Sequence, residues 1–406
     1  MAAPTVTSPT HPTHAGARAT ALLLAPQMAA AVVSLAVNIL AARTLGPDGR
    51  GHIALLLQVG YLTNMFAQAG TDRAYPVHHP PGRPPRAALG DTARLVAPTG
   101  VLTVAAAVPV VVAAGGNLAL TLAAFLVAAA AMIVSGAART AAAATGAVRP
   151  YAVGATAGQA VLAAAAIALT ATRVTDPAVW LAGYACALAC APAVTWALLP
   201  HTAPAARTDL RPARRLGWRL LPAGIATMVM LRADRLMLPW LAGLDQLGVY
   251  VIVATIAELA AWPVQAWVDA HANRWHQQHL SGTLNPGRPL LAAAAYGLTA
   301  GLALLAAAPL IRPVFGDAYT DAGRLLPPLA AATAAYAISR VAVGLGTAAG
   351  RARTALTADL PAMLVAVAGY LLLIPRWGAY GSAVASAVGY TVAAVLAVAT
   401  LTRAAR

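Results

Sequence analysis

The chain has 406 residues, of which 60% are hydrophobic and only 10% are charged, whereas soluble domains carry about 25% charged residues. Its apolar residues form blocks of about 20, the length at which a helix crosses a hydrocarbon core roughly 30 Å thick, and these blocks lack the alternation of β-barrel strands. The formal net charge of +15 comes from arginines scattered through short loops, which is typical of the positive-inside rule and argues against nucleic-acid binding.

The apolar blocks predict twelve transmembrane helices. After a polar tail at 1–18, the first six are expected at 19–42, 51–71, 94–114, 118–138, 151–171 and 178–199. Six more are expected at 218–241, 247–270, 290–311, 325–348, 355–374 and 379–401. The longest basic loop, about 200–217, separates the two sets. The sequence therefore predicts an all-α, multi-pass membrane protein whose fold comprises two six-helix halves.

The loop arginines predict the orientation. If the N-terminus is cytoplasmic, most arginines fall in cytoplasmic loops, and the opposite loops hold only Arg43, Arg50, Arg173, Arg312, Arg324 and Arg376. Both termini are therefore expected on the cytoplasmic side. The chain uses Arg without Lys and is rich in Ala, which indicates a genome rich in G and C and hence a bacterial plasma membrane.

A short internal repeat supports the division into halves. Gly46–Gly51 and Gly243–Gly248 both read Gly-x-Asp-x-x-Gly, and each follows the first helix of its half. Six helices is an even number, so the halves keep the same topology and are related by an axis along the membrane normal. We expect an N-terminal lobe at 19–205 and a C-terminal lobe at 206–406 around a central cleft.

Five ionisable residues lie inside predicted spans of the second half: Arg232, Asp234, Arg235, Glu258 and Arg340. A charge at the bilayer centre costs about 2.5–3.5 kcal/mol, so such residues normally face a wet cavity or a partner. Three cations against two carboxylates leave one positive charge for an anionic ligand, because guanidinium forks suit phosphate and carboxylate oxygens. The alternative is an internal ion-pair network without a ligand.

The first half offers only neutral polar candidates, namely Asn38, Gln58 and Asn64, with Gln68 one helical turn beyond Asn64. The repeat offset places Arg235 opposite Asn38. These side chains could bind sugar hydroxyls, although hydrogen bonds between helices are their commoner role in membranes. The histidines form no compact ligand pattern, and no catalytic motif is present. We therefore expect no metal, no cofactor and no enzyme activity.

Several motifs together resemble the polysaccharide-transporter family of lipid-linked oligosaccharide flippases, in the superfamily that also contains multidrug and toxin extruders. One is Ala42–Pro47 with Gly51, and a second is Arg232, Asp234 and Arg235 leading to Gly248–Tyr250. The others are Phe315-Gly316 with Tyr319, and Ile374–Ala383. The resemblance covers nearly the whole chain.

This resemblance implies two lobes that alternate between inward-open and outward-open states while carrying a polyprenyl-linked saccharide. It implies a cationic cleft for the pyrophosphate or acidic sugars, which matches Arg232, Arg235 and Arg340. Asp234 and Glu258 become candidate coupling residues for a proton gradient, a sodium gradient or the membrane potential. Glycosyltransferases or polymerases of the same synthesis pathway are the implied protein partners, together with the lipid bilayer.

The expected function is export of a lipid-linked oligosaccharide for a surface polysaccharide or cell-wall polymer. A cation-coupled multidrug extruder of the same architecture is the nearest alternative, and it would favour carboxylates in the first lobe, where few are visible. A membrane polysaccharide polymerase or ligase would be expected to carry a large external loop with catalytic residues, and the loops here are short. A non-transporting scaffold would leave the intramembrane arginines without a role.

Overall fold

The computed structural model describes residues 13–200, 208–351 and 353–403, and within these ranges it contains helices and no strand. Twelve α-helices follow in chain order: α1 Thr13–Gln68, α2 Thr71–His78, α3 Pro85–Ala114, α4 Leu118–Thr145, α5 Val148–Ala171, α6 Pro177–Leu198, α7 Arg211–Ala242, α8 Leu244–Leu280, α9 Gly287–Ala306, α10 Ile311–Phe315, α11 Leu326–Ala348 and α12 Arg353–Arg403. Most of the predicted tail, 1–12, and the predicted lobe boundary at 205/206 lie outside the described residues.

The predicted number of spans is confirmed, although two pairs of spans are joined. α1 bends at Gly46, where φ is 68°, and α12 bends at Gly378, where φ is 55°. Only glycine adopts such angles at little cost, so each glycine turns the chain without a longer loop. Each bent helix supplies two spans, and α3–α9 with α11 supply the other eight. By length and apolar composition alone, eight helical segments of the described residues could each cross a membrane, and this count takes the bent α12 as one segment.

The helices pack as two lobes. α1–α6 contact one another extensively, as do α7–α12, and the main contacts between these groups join α1 to α8 and α2 to α7. The α1–α8 contact is made by the repeat identified in the sequence. A Cβ added at Gly51 would lie 1.8 Å from the Leu244 carbonyl oxygen, and one at Gly248 would lie 1.9 Å from the Pro47 oxygen. The two repeat glycines therefore allow the lobes to touch backbone to backbone.

We call this side of the bundle the Gly end, defined by Gly46, Gly243, Gly316 and Gly378. Three hydrogen bonds also join the lobes there. Arg43 donates from Nε to the Val314 carbonyl oxygen at 2.7 Å and also donates to the Pro313 oxygen, and the Tyr319 hydroxyl donates to the Ala42 oxygen at 3.3 Å. Pro313 and Tyr319 belong to α10 and to the 3₁₀ helix Asp317–Leu325, which cover this end and were not predicted.

The opposite side is the arginine-rich end, which carries the connections 69–84, 146–147, 281–286 and 349–351. Here the helices exceed their predicted lengths. α8 continues to Leu280 rather than 270, and its Trp275 is only 3% exposed in a cluster with Val268 and Val341. The prediction ended too early because hydropathy detects the membrane-crossing part of a helix, whereas packing against a neighbouring helix also stabilises a polar extension.

The connection between α1 and α3 is anchored by a buried carboxylate. Asp91 has no exposed surface and accepts hydrogen bonds from Arg83 at 2.7 and 2.8 Å, from Arg94 at 3.2 Å and from the Tyr75 hydroxyl at 3.4 Å. The Asp91 hydrogen bond raises the pKa of Arg83 above its usual value. This network lets α3 begin at Pro85, before the predicted 94, because its charged first turns are neutralised inside the protein.

Candidate functional site

A cavity of about 270 Å³ lies at the face of the second lobe that meets the first. We call it the central cavity. Its polar lining residues are Tyr61, Arg232, Asp234, Tyr250, Glu258, Gln265, Thr333, Tyr336, Ser386 and Tyr390. Among these, only Tyr61 comes from the first lobe, and all the others come from α7, α8, α11 and α12. The polar cleft is therefore built mainly by one lobe and is completed by an aromatic side chain of the other.

Two arginines of α7 converge on one carboxylate of α8. Arg232 Nη1 lies 2.9 Å and Arg235 Nη2 lies 2.6 Å from the same oxygen, Glu258 Oε1. The arginines are three residues apart, a spacing that places side chains on one helical face. The Glu258 side chain is 31% exposed and Arg232 is 22% exposed. The ion pair therefore remains reachable from the cavity.

Arg232 also connects the lobes. Its guanidinium carbon lies 5.3 Å from the centre of the Tyr61 ring, within the range of a cation–π contact. Tyr61 is on α1 and Arg232 is on α7, so this contact crosses the lobe interface. A ligand that draws the arginine away from Glu258 would also change this contact, which links occupancy of the cavity to the interface.

Asp234 is held differently from Glu258. It is 8% exposed, and it accepts a 2.6 Å hydrogen bond from the Tyr250 hydroxyl and a 2.8 Å bond from the Arg235 backbone N–H. The Tyr370 and Ser386 hydroxyls lie 2.9 Å apart, and Ser386 lines the same cavity. Asp234 therefore belongs to a hydroxyl-rich pocket at the inner wall, whereas Glu258 stands nearer the opening.

Arg340 does not meet the other two arginines. It forms an ion pair with Asp359 of α12, donates to the Ser339 hydroxyl at 3.3 Å, and lies 5.7 Å from the Tyr336 ring centre. It lines another cavity, of about 500 Å³, with His276 and Gln265, and Gln265 also lines the central cavity. The sequence analysis did not identify Asp359, because an acidic residue near a predicted helix start looks like an interfacial charge.

Asp359 changes the charge count. The sequence placed three arginines and only two carboxylates inside the predicted spans, which predicted one positive charge without a counterion. The structure adds Asp359, so three carboxylates face three arginines. The expected excess charge is therefore absent from this group. An anion must compete with carboxylates that already hold the guanidiniums.

The three neutral candidates of the first lobe do not form one site. Asn38 donates to the Ser34 oxygen at 2.8 Å and accepts a hydrogen bond from Arg50. Gln58 is 6% exposed, and its Nε2 has no hydrogen-bond partner among the described residues. Asn64 lines a second cavity, which shares Tyr61 with the central one. Only Asn64 therefore borders a space that adjoins the arginine pair.

Arg50 was predicted in an external loop, and this placement was wrong. It is 4% exposed, in the arm of α1 that follows Gly46. Its Nε and Nη1 atoms have no hydrogen-bond partner in the described part of the chain. No sequence signal distinguished Arg50 from the loop arginines. Gly46 bends α1 without interrupting it, so the second arm begins before residue 51, where the sequence predicted its start.

Within the described residues, no three His, Cys, Asp or Glu side chains come close enough to hold a metal ion. The histidines of α8 instead make local contacts. His271 contacts the rings of Trp267 and Trp275 on its own helix. His276 Nδ1 lies 2.8 Å from the Ala348 oxygen, a contact that joins the extension of α8 to α11.

No family model matches the sequence, and no curated protein matches it. Solved structures do match. The lipid II flippase MurJ, in an inward-closed conformation, superposes with a TM-score of 0.74 at 10% identity. The superposition covers 94% of this chain and 87% of the MurJ chain. The chain therefore has the same fold as this structure.

Two multidrug transporters of the MATE family support the same assignment. One, in an inward-facing conformation and described as a member of the MOP superfamily, has a TM-score of 0.71 at 13% identity and covers 93% of this chain and 96% of its own. The Vibrio cholerae MATE transporter VcmN has a TM-score of 0.59 at 12% identity, with 96% of each chain covered. The expected architecture of two six-helix lobes in a multi-pass membrane protein is thus confirmed.

Proposed function

We propose that this chain is a transporter that moves a lipid-linked, phosphate-bearing saccharide across the membrane by alternating access. One observation carries the proposal: Arg232 and Arg235 share a single oxygen of Glu258 at the wall of a cavity completed by Tyr61 of the other lobe. A pyrophosphate has more oxygens than a carboxylate and can engage both guanidinium forks at once. The anion would replace Glu258 as their partner.

The contact at the Gly end fits this mechanism. The lobes touch there through Gly51 and Gly248, on the side opposite the arginine-rich connections. Alternating access requires a contact between lobes that forms at one end and breaks at the other. We propose that the Gly51–Gly248 contact is the one that opens when the saccharide is released. The predicted orientation would place this end outside a bacterial plasma membrane.

The test is movement of a fluorescent polyprenyl-pyrophosphoryl sugar in proteoliposomes that contain the purified protein. We expect wild-type protein to move the lipid and R232E and R235E to abolish movement. R288Q is the matched control, because Arg288 is an exposed arginine of α9 outside the cavity. Movement at the wild-type rate in both charge-reversed variants, at equal protein content, would overturn the assignment.

A second candidate, efflux of cationic drugs, is favoured by one observation. Glu258 is partly exposed beside an aromatic lining that includes Tyr61, Trp262 and Tyr390, and aromatic faces with a carboxylate bind organic cations. E258Q distinguishes the two functions. If the substrate has an anionic headgroup, E258Q removes the carboxylate that competes with it for the two arginines. The half-saturating lipid density should then fall by about threefold or more, because a charged hydrogen bond no longer has to be broken. For cationic drugs E258Q should abolish efflux of ethidium from the same vesicles.

Asp234 and Glu258 remain our candidates for ion coupling. Asp234 lies in a pocket of hydroxyls from Tyr250 and Ser386, where a proton or a cation could be exchanged as the lobes move. We expect D234N to leave lipid movement insensitive to an imposed pH gradient, sodium gradient or membrane potential, whichever accelerates the wild type. Unaltered acceleration in D234N would assign coupling to another group.

A further inference from the structure

A second cavity, of about 170 Å³, adjoins the central cavity. We call it the vestibule. Tyr61 lines both cavities, so this side chain forms part of the wall of each. The walls come from α1, α2 and α4 of the first lobe and from Leu220, Leu221 and Met228 of α7 in the second. The vestibule therefore lies between the lobes, on the way from the central cavity to the arginine-rich end.

Two exposed arginines contribute to the wall of the vestibule. Arg73 and Arg139 line it, and neither pairs with a carboxylate among the described residues. Neighbouring arginines of the first lobe are satisfied: Arg83 binds Asp91, and Arg86 donates to the Leu199 carbonyl oxygen at 3.0 Å. The vestibule therefore holds two guanidiniums whose charge is not neutralised by the protein.

The one acidic lining residue does not cancel this charge. Asp72 borders the vestibule but forms no ion pair with either arginine. Two cations and one carboxylate leave a net positive charge, in contrast to the balanced central cavity. An anion would meet less competition in the vestibule than at Glu258.

Amide groups complete the vestibule. Gln68 is 7% exposed, and its Nε2 donates to Asn64 Oδ1 and to the Ile133 carbonyl oxygen, both at 3.1 Å. Gln68 Oε1 is buried and has no partner among the described residues. A buried acceptor without a donor costs about 1–3 kcal/mol. Because this oxygen has almost no exposed surface, a ligand hydroxyl would satisfy it once the Gln68 side chain turned toward the cavity.

A glycine of α4 makes room for these amides. A Cβ added at Gly136 would lie 2.2 Å from Gln68 Nε2 and 2.9 Å from Asn64 Oδ1. Arg139 follows three residues later on the same helix, a spacing that brings side chains to one face. Gly136 therefore places an amide pair and a guanidinium side by side along one wall of the vestibule.

We infer that the vestibule is a loading site, which binds the phosphate-bearing headgroup of the substrate before it reaches Arg232. This inference rests on the proposed function. Arg73 and Arg139 provide charged donors for phosphate oxygens, and Asn64 and Gln68 provide an amide donor and a free acceptor for sugar hydroxyls. Movement past Tyr61 then delivers the headgroup to the Arg232 side of the same aromatic ring.

Binding of inorganic pyrophosphate tests the site without transport. Isothermal titration calorimetry would use the full-length R232Q protein, which lacks the guanidinium that lines the central cavity, so that the remaining binding reports mainly on the vestibule. Adding R73Q and R139Q should raise the Kd about tenfold or more, as expected for lost charged hydrogen bonds. Adding R288Q instead should leave it within about twofold. An equal Kd in all three proteins, or no binding to R232Q, would overturn the inference.

Transport kinetics separate this inference from the proposed function. In proteoliposomes, R73Q/R139Q should raise the half-saturating density of the fluorescent lipid while leaving the maximal rate near that of wild type, whereas R232Q should lower the maximal rate. Unchanged half-saturation in R73Q/R139Q overturns the loading site and leaves the flippase standing. If wild type moves no lipid but pyrophosphate binding depends on Arg73 and Arg139, the flippase fails and the anion site stands.

An ordinary anionic phospholipid is the other source of the same phosphate chemistry. Occupancy by such a lipid would appear as phosphatidylglycerol that co-purifies with wild type and is lost in R73Q/R139Q, together with an unchanged half-saturating density for the fluorescent lipid. This result would overturn loading of the transported headgroup. If R73Q/R139Q keeps both the co-purifying lipid and pyrophosphate binding, the vestibule does not bind anions.

Discussion

The two ends of the helix bundle are stabilised by different chemistry. At the Gly end, the lobes meet through the backbones of Gly51 and Gly248, with carbonyl oxygens as the acceptors of Arg43 and Tyr319. At the arginine-rich end, a buried carboxylate, Asp91, organises the first turns of α3. Packing at the Gly end should therefore be sensitive to side-chain volume, and stability at the arginine-rich end should be sensitive to side-chain charge.

Loss of the Asp91 charge should have the largest effect. Asparagine has nearly the same volume as aspartate, so D91N changes charge alone and leaves Arg83, whose side chain is only 8% exposed, without its counterion. Breaking a buried pair in this way costs about 3–5 kcal/mol. Thermal and denaturant unfolding in detergent would measure the loss. D72N is the control, because Asp72 forms no ion pair with any residue that the structure describes, and an equal loss in both variants would contradict the charge argument.

A single methyl group should break the contact at the Gly end. In G248A the new Cβ would overlap the Pro47 oxygen, so the lobes must separate or the backbone must shift, at about 1–3 kcal/mol. Spin labels at the exposed positions Asp48 and Asp245, with Cys186 and Cys190 replaced by serine, should report a longer distance across this end. G90A is the control, because a Cβ at Gly90 meets nothing within 4 Å. An unchanged distance in G248A would show that the lobes do not touch through these glycines.

Removal of the Arg43 bridge should have the smallest effect. R43Q loses the bonds to the Val314 and Pro313 carbonyl oxygens, but Arg43 is exposed, so the expected loss of stability is below about 1 kcal/mol. The same pair of spin labels should show a broader distribution around the original distance. R376Q is the matched control, since Arg376 donates within its own helix to the Leu372 oxygen. Broadening in R376Q to the same degree would remove Arg43 from the lobe contact.

These comparisons also show where reading the sequence succeeded. The Gly-x-Asp-x-x-Gly repeat was a weak signal along the chain, yet its last glycines, Gly51 and Gly248, prove to be in contact. Arg232, Arg235 and Glu258 were identified from the cost of intramembrane charge alone, and the structure brings them together. Both inferences depend on rules that act locally: a close approach requires glycine, and a buried charge requires a partner.

The predictions were wrong for residues whose surroundings depend on how distant parts of the chain pack together. Arg340 was grouped with Arg232 because both are intramembrane cations, but it pairs with Asp359 and lines another cavity. Arg50 was assigned to a loop because the bend at Gly46 was read as the end of a helix. Asp91 was not identified, since an aspartate between Arg83 and Arg94 looks like part of a hydrated loop until α2 and α3 enclose it.

Hydrophobic blocks of bilayer length, the loop arginines and the repeat were sufficient to predict a twelve-helix membrane protein of two similar halves, because each depends on the chain's interaction with lipid and water along its own length. The tertiary structure decided which charges neutralise each other and which remain free. Asp359 neutralises Arg340, Glu258 pairs with Arg232 and Arg235, and Arg73 and Arg139 keep their charge beside the vestibule. Ion pairing depends on distances of a few ångströms between residues far apart in the chain, and only the packing of the two lobes sets those distances.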